Sequence, residues 1–199
     1  AGRIGGIPAF SEGGLSVRVI TGTARGVQLK TPQGELTRPT ADRVKEALFS
    51  IIQYDLPGAR VLDLFGGTGQ LGIEALSRGS SQAVFVDARE DACKLIRENL
   101  RRTKLSDRAK VVRSDYLAYL KNTKECFDII LLDPPYAEVF LENSLKRITE
   151  IDILQSGGIM VTERPVGKDL TWDFPGYTRS KDYKYGKTLL TLYRKDGSS

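Results

Sequence analysis

Apolar runs near residues 60–64, 83–87, 109–113, 127–132 and 158–163 alternate with stretches near 70–78, 89–103, 116–122 and 138–150 that carry helical patterning. Ile129 to Leu132 is an unbroken apolar run, as expected for a strand covered on both faces. The alternation predicts an α/β, doubly wound, mostly parallel sheet. Leu141, Leu145 and Ile148 supply the apolar stripe of the last of these helices. Two further strands, 177–183 and 187–193, are separated by a turn around Tyr185-Gly186 that is too short for a parallel crossover. They therefore form a C-terminal antiparallel hairpin and bring the sheet to seven strands.

Ahead of this core, 18–21 and 27–30 predict a small hairpin, and a helix begins at Thr40. Val44, Ala47, Leu48 and Ile51 fall at i, i+3, i+4, i+7, so Arg43, Lys45 and Glu46 lie largely off the apolar stripe. Residues 1–16 are rich in glycine and serine, lack periodicity and read as a leader or vector-derived segment. The expected organisation is one domain, with an N-terminal hairpin and helix extension over 17–58 and a core over 59–195.

Chemistry concentrates where predicted strands end. Asp133-Pro134-Pro135-Tyr136 directly follows the fourth core run. Consecutive prolines stiffen the backbone and leave carbonyl oxygens without local donors. Asp133 and the Pro134 carbonyl would accept the two N–H bonds of a planar base's amino group, and Tyr136 would stack on the ring. The plain alternative is a proline-terminated strand with a packed tyrosine.

Upstream, Val61 to Gly72 is an apolar strand entering a glycine-rich turn and then a helix. Gly67, Gly69 and Gly72 satisfy the G-x-G-x-x-G dinucleotide pattern, and Asp87 ends the next strand, where it could hold a ribose. A nicotinamide enzyme is thus one reading. Against it, Asp63 precedes the glycines, where its charge repels a pyrophosphate but suits a cationic amino-acid group. A methionine-bearing sulfonium cofactor fits better.

Composition narrows the choice. The 199 residues include no histidine, which excludes Ser-His-Asp triads, His-x-x-x-His zinc sites and histidine bases within this chain. Cys93 and Cys126 lack metal or redox spacing, no apolar run approaches a membrane span, and a cytoplasmic, metal-free protein is expected. Net charge is +3 over 17–50, −1 over 60–163 and +5 over 164–195. Positive charge on the flanks of a nucleotide-binding core points to a polyanionic substrate.

Taken in order, the turn with Asp63, Asp87, Ser114-Asp115 and Asp133-Pro134-Pro135-Tyr136 resemble the motifs of S-adenosylmethionine-dependent amino-methyltransferases. Arg38–Phe49, Leu71–Gly79 and Tyr185-Gly186-Lys187-Thr188 resemble, more narrowly, the RsmD family of 16S rRNA (guanine-N2)-methyltransferases, with likeness from about Val17 to Lys195. Gly67-Thr68 with Gln70 departs from the expected small residue and serine. The resemblance implies a Rossmann-like methyltransferase fold with Asp133, Pro134, Pro135 and Tyr136 catalytic. Asp63, Phe65, Gly66, Gly67 and Gly69 would form the turn that holds S-adenosylmethionine. Asp87 and Ala88 would lie at its ribose, and Ser114 and Asp115 at its adenine. Arg38, Thr40, Arg43, Tyr185 and Lys187 would lie on the substrate side.

Helix capping is the competing role for Thr40, Asp87 and Asp115, and a bare hairpin turn for Tyr185 to Lys187. The implied activity methylates N2 of a specific guanine in bacterial 16S rRNA, within the assembling 30S subunit, by a monomer. The rivals are an N6-adenine DNA methyltransferase, a protein-glutamine methyltransferase and a non-catalytic RNA-binding assembly factor.

Overall fold

The computed structural model describes residues 17–32, 39–135, 138–167 and 173–197. Among these residues five α-helices, α1 (Pro39–Ile51), α2 (Gln70–Ser77), α3 (Glu90–Thr103), α4 (Tyr116–Asn122) and α5 (Glu138–Ile151), pack on one sheet. Its strands are β1 (Arg60–Asp63), β2 (Gln82–Asp87), β3 (Ala109–Arg113), β4 (Phe127–Leu132), β5 (Leu154–Pro165), β6 (Tyr177–Arg179), β7 (Tyr183–Tyr185) and β8 (Thr188–Lys195). The order is β3-β2-β1-β4-β5-β8-β6, with β7 also paired to β8. The first five strands run parallel and β8 antiparallel to β5.

Alternation along the strands sorts the core into two layers. Val61, Ile129, Leu131, Ile159 and Val161 meet α1, α2 and α3 on one face. Leu62, Ile130, Leu132 and Met160 meet α4 and α5 on the other. The chain builds outward from β1 to β3 and then returns to place β4 beside β1. Between these two strands lies the switch point beyond whose carboxyl ends open α/β sheets bind ligands.

Three expectations change in detail. The predicted strand 177–183 is two pieces, β6 and β7, which lie end to end along β8. The break contains Asp182, whose carboxylate accepts from Arg164 at 2.7 Å, Arg179 at 2.9 Å and the Thr191 hydroxyl at 2.5 Å. Strand β5 starts at Leu154 rather than 158, because a register irregularity lets it pair with Phe127 before the ladder resumes at Ile159. Helix α1 starts at Pro39, a favoured first helical residue, so Thr40 lies inside its first turn and is not the cap.

The N-terminal hairpin is reduced to a single bridge between Arg18 and Gln28. Backbone bonds from the Val19 N–H to Val27 and from the Leu29 N–H to Val17 flank that bridge, and side chains of the core take several of the other donors. Fully buried Glu74 accepts from the Ile20 N–H at 2.8 Å, the Thr21 N–H at 3.0 Å and Arg78 Nε at 2.7 Å. Asn99 Oδ1 accepts from the Lys30 N–H at 2.7 Å, and its Nδ2 donates to the carbonyls of Lys30 and Thr68 at 3.0 and 2.9 Å. Through Asn99 the hairpin braces the glycine-rich turn.

Candidate active site

The turn between β1 and α2 is held from below by two carboxylates. Asp63 at the end of β1 is buried, and its Oδ2 accepts from the Gly72 N–H at 3.1 Å. Asp87 at the end of β2 accepts from the Gly67 N–H through Oδ2 at 3.0 Å and from the Arg89 N–H through Oδ1 at 2.9 Å. Gly66 donates its N–H to the Val86 carbonyl at 2.8 Å. Gly72 allows α2 to sit close on β2, since a Cβ there would lie 2.2 Å from Phe85 Cε1. Gly67 is different: with φ of 55° its added Cβ would meet only the Phe65 carbonyl, at 3.9 Å, so the outer side of the turn is open.

The structure therefore gives several of the sequence-predicted cofactor residues a structural task as well. Asp87 braces the turn and accepts from the Arg89 N–H ahead of α3, but it is not the N-cap, which is Arg89 with no side-chain cap bond; lone pairs remain on both of its oxygens. Asp115 is the N-cap of α4, its Oδ1 accepting from the N–H groups of Leu117 at 2.9 Å and Ala118 at 3.1 Å. Among the described residues no donor meets Asp115 Oδ2. Ser114 is half-buried beside it and donates to the Asp115 carbonyl at 2.9 Å, and Ala88 is exposed next to Asp87.

Phe65 lies beyond β1 with its ring centroid 5.2 Å from that of Tyr116 and 6.4 Å from that of Phe140. This half-buried aromatic group joins the turn to the starts of α4 and α5. Tyr116 and Phe140 are additions to the sequence-predicted site. The position of Tyr116 directly after Ser114-Asp115 was a visible signal; that of Phe140, inside a helix, was not.

Asp133, Pro134 and Pro135 leave the end of β4 across the switch point from Asp63. Asp133 is open to solvent as a residue, yet surrounding protein pushes its carboxyl pKa up to about 6 by desolvation. Asp63 rises further, to about 7, through burial first and then through the charges of Asp133 and Asp87. Glu163 on β5 rises to about 8 through burial and the charge of Asp133. Sequence reading passed over Glu163, although it too ends a predicted parallel strand.

This electrostatic arrangement disfavours a pyrophosphate and favours a cation at the mouth of the turn. An open glycine cradle, a carboxylate at the end of β2, the Asp115 carboxylate at the start of α4 and an aromatic wall together fit S-adenosylmethionine. Its cationic methionine end would lie toward β1 and its adenosine toward β2 and β3.

The substrate-side residues are brought partly together. Exposed Arg43 is on α1, which packs against β7, the strand that ends at half-buried Tyr185. Lys187 is exposed in the turn between β7 and β8, where Gly186 has φ of 59°. Arg38 and Tyr136 lie outside the described residues, as do residues 1–16.

Residues 17–194 match the family described as Conserved hypothetical protein 95. The chain is 33% identical over 181 residues to ribosomal RNA small subunit methyltransferase D of Haemophilus influenzae, covering 89% of this chain and 93% of the relative. The chain belongs to the RsmD family. Another relative is YlbH of Bacillus subtilis, 38% identical over 184 residues, covering 91% of this chain and 100% of that protein. Among solved structures, yhhF of Escherichia coli superposes with a TM-score of 0.83 at 26% identity, covering 92% of this chain and 99% of that one. These RsmD-family likenesses agree with the Rossmann-like methyltransferase architecture, a mostly parallel sheet closed by an antiparallel C-terminal hairpin.

Proposed function

We propose that this RsmD-family protein uses S-adenosylmethionine to methylate the exocyclic N2 of one guanine in bacterial 16S rRNA, within an assembling small subunit. The observation that carries the reading is the position of the Asp133-Pro134-Pro135 loop directly across the β1/β4 switch point from the glycine turn. The names of relatives as small-subunit rRNA methyltransferases support the substrate class, and the basic flanks of the core suit a polyanion.

When bound, S-adenosylmethionine supplies a methyl group on a sulfonium, a good electrophile with a neutral thioether leaving group. The chain's own residues address the nucleophile. Conjugation with the ring ties up the N2 lone pair of guanine. Hydrogen bonds from the amino group to Asp133 and the Pro134 carbonyl would bias this nitrogen toward sp³ and free the pair. The stiff Pro-Pro backbone would hold the nitrogen in line with the methyl carbon, a positioning effect that supplies much of the acceleration. As the N–C bond forms and the nitrogen becomes positive, the ionised Asp133 would stabilise it. The excess proton then leaves to Asp133 or water.

The test is transfer of radiolabelled methyl to undermodified small ribosomal subunits, with bare rRNA and duplex DNA alongside, followed by nucleoside chromatography. The expected result is N2-methylguanosine from the particle, lost on Asp133→Ala. N6-methyladenosine from DNA, or label in a protein amide, would overturn the reading.

A further inference from the structure

Asp133 is not the only carboxyl on the substrate side of the switch point. Leu132 of β4 is in register with Thr162 of β5, so the next residues, Asp133 just past the end of β4 and Glu163 still within β5, lie at the same level on neighbouring strands. Registered positions point to the same face. Ile129, Leu131, Ile159 and Val161 place that face toward α1, α2 and α3. Asp63 belongs to the same face one strand further, through its bond to α2. Glu163 is also in register with Leu190 of β8, which in turn pairs with Tyr183 of β7. Glu163 thus stands between the Asp133 loop and the strand that carries Tyr183 and Tyr185.

Among the described residues, the titratable groups that register and electrostatics bring toward this position are Asp133, Asp63 beyond it, and Tyr183 and Tyr185 from the opposite side. The next residue, Arg164, belongs to the other face and is tied to Asp182 at 2.7 Å. Glu163 is half-buried, and among the described residues no hydrogen-bond donor meets its carboxyl. A half-buried acid near the end of a strand, beside the catalytic loop and without a hydrogen-bond partner among the described residues, is suited to a ligand.

We propose that Glu163 reads the base: with the guanine amino group held by Asp133 and the Pro134 carbonyl, the Glu163 carboxyl meets the adjoining N1–H and O6. The inference rests on the guanine reading of the site. Chemistry matches it. Below about pH 8 Glu163 keeps its proton, because burial and the Asp133 charge disfavour ionisation. A neutral carboxyl offers one acceptor and one donor side by side. Guanine beside its amino group offers N1–H and then O6, the complementary pair. Adenine held by its own amino group offers a lone pair at N1 and then a C–H, so one of the two bonds is missing. Glu163 therefore favours guanine over adenine at a loop that by itself accepts either amino group.

The experiment crosses an enzyme change with a base change. Small subunits are assembled on 16S rRNA that carries either guanosine or 2-aminopurine riboside at the methylated position. The analogue retains the amino group but lacks N1–H and O6. Wild type, Glu163→Leu and Glu163→Gln are compared, with binding of S-adenosylhomocysteine by calorimetry showing that each variant retains its cofactor site.

Wild type is expected to lose roughly tenfold or more in kcat/KM on the analogue, since a site built for a hydrogen bond rejects a base that lacks it. Glu163→Leu should lose a similar factor on guanosine and nothing further on the analogue. Glu163→Gln, whose amide has the same donor and acceptor, should stay within about threefold of wild type on guanosine. Equal analogue penalties in wild type and Glu163→Leu would overturn the proposal, as would a Gln variant as impaired as Leu. With methylation still at guanine N2, these outcomes leave the proposed function standing. Label at adenine N6 or in a protein amide would remove both.

Discussion

Asp63 Oδ2 takes the Gly72 N–H at 3.1 Å from beneath the glycine-rich turn, so a buried carboxyl ties the end of β1 to the first turn of α2. That carboxyl has its pKa raised to about 7, through burial first and nearby carboxylates afterwards. The unfolded chain releases this proton near pH 4 and the folded chain only near 7, so the folded state holds more protons between these values. Asp63 therefore contributes stability at low pH that is lost as pH rises from about 4 to 7. Asp63→Asn removes this dependence. In urea titrations its stability relative to wild type should rise by about 4 kcal/mol from about pH 4 to pH 8. A constant difference across that range would show that Asp63 is ionised throughout.

Glu74 presents the opposite case, a buried acid with three donors. Glu74→Ala leaves the N–H groups of Ile20 and Thr21 and the Arg78 guanidinium without it. Breaking such a buried network should lower stability by about 3–5 kcal/mol. Amide exchange should accelerate over residues 17–30 before the sheet is affected. Unchanged protection of Ile20 and Thr21 would refute the anchoring role.

Gly72→Ala places a Cβ 2.2 Å from Phe85 Cε1, within the packing of α2 on β2. The ring and the helix must move apart, which should lower stability by roughly 1–3 kcal/mol. Because Gly72 and Gly67 are tied to the two carboxylates that brace the turn, cofactor affinity should fall with it. Calorimetry with S-adenosylhomocysteine measures this directly, and full affinity would separate the turn's shape from helix packing.

Arg43 on α1 and Lys187 in the β7–β8 turn are both exposed, on elements linked through the packing of α1 on β7. If they grip backbone phosphates, Arg43→Ala with Lys187→Ala should raise KM for the ribosomal particle while cofactor affinity stays unchanged. The salt dependence of particle binding should also become shallower, by about 0.7–0.9 in the log–log slope for each phosphate no longer neutralised. An unaltered slope would return both residues to the solvated surface.

The sequence by itself determined the layered sheet and helices of this protein, because those depend on periodicity that is written locally. Unbroken runs such as Ile129 to Leu132 need cover on both faces, and the short turn at Tyr185-Gly186 permits only an antiparallel partner. It also marked the ends of the strands at Asp63, Asp87 and Asp133, since charged residues directly after apolar runs stand out. Tertiary structure alone decided what each carboxylate does. Whether Asp87 braces Gly67, whether Asp115 caps α4 and whether Glu163 stands beside Asp133 depend on strand order, turn geometry and register. Glu163 comes level with Asp133 only once α5 has crossed over and β5 has paired with β4, and no local pattern around either residue records that neighbour.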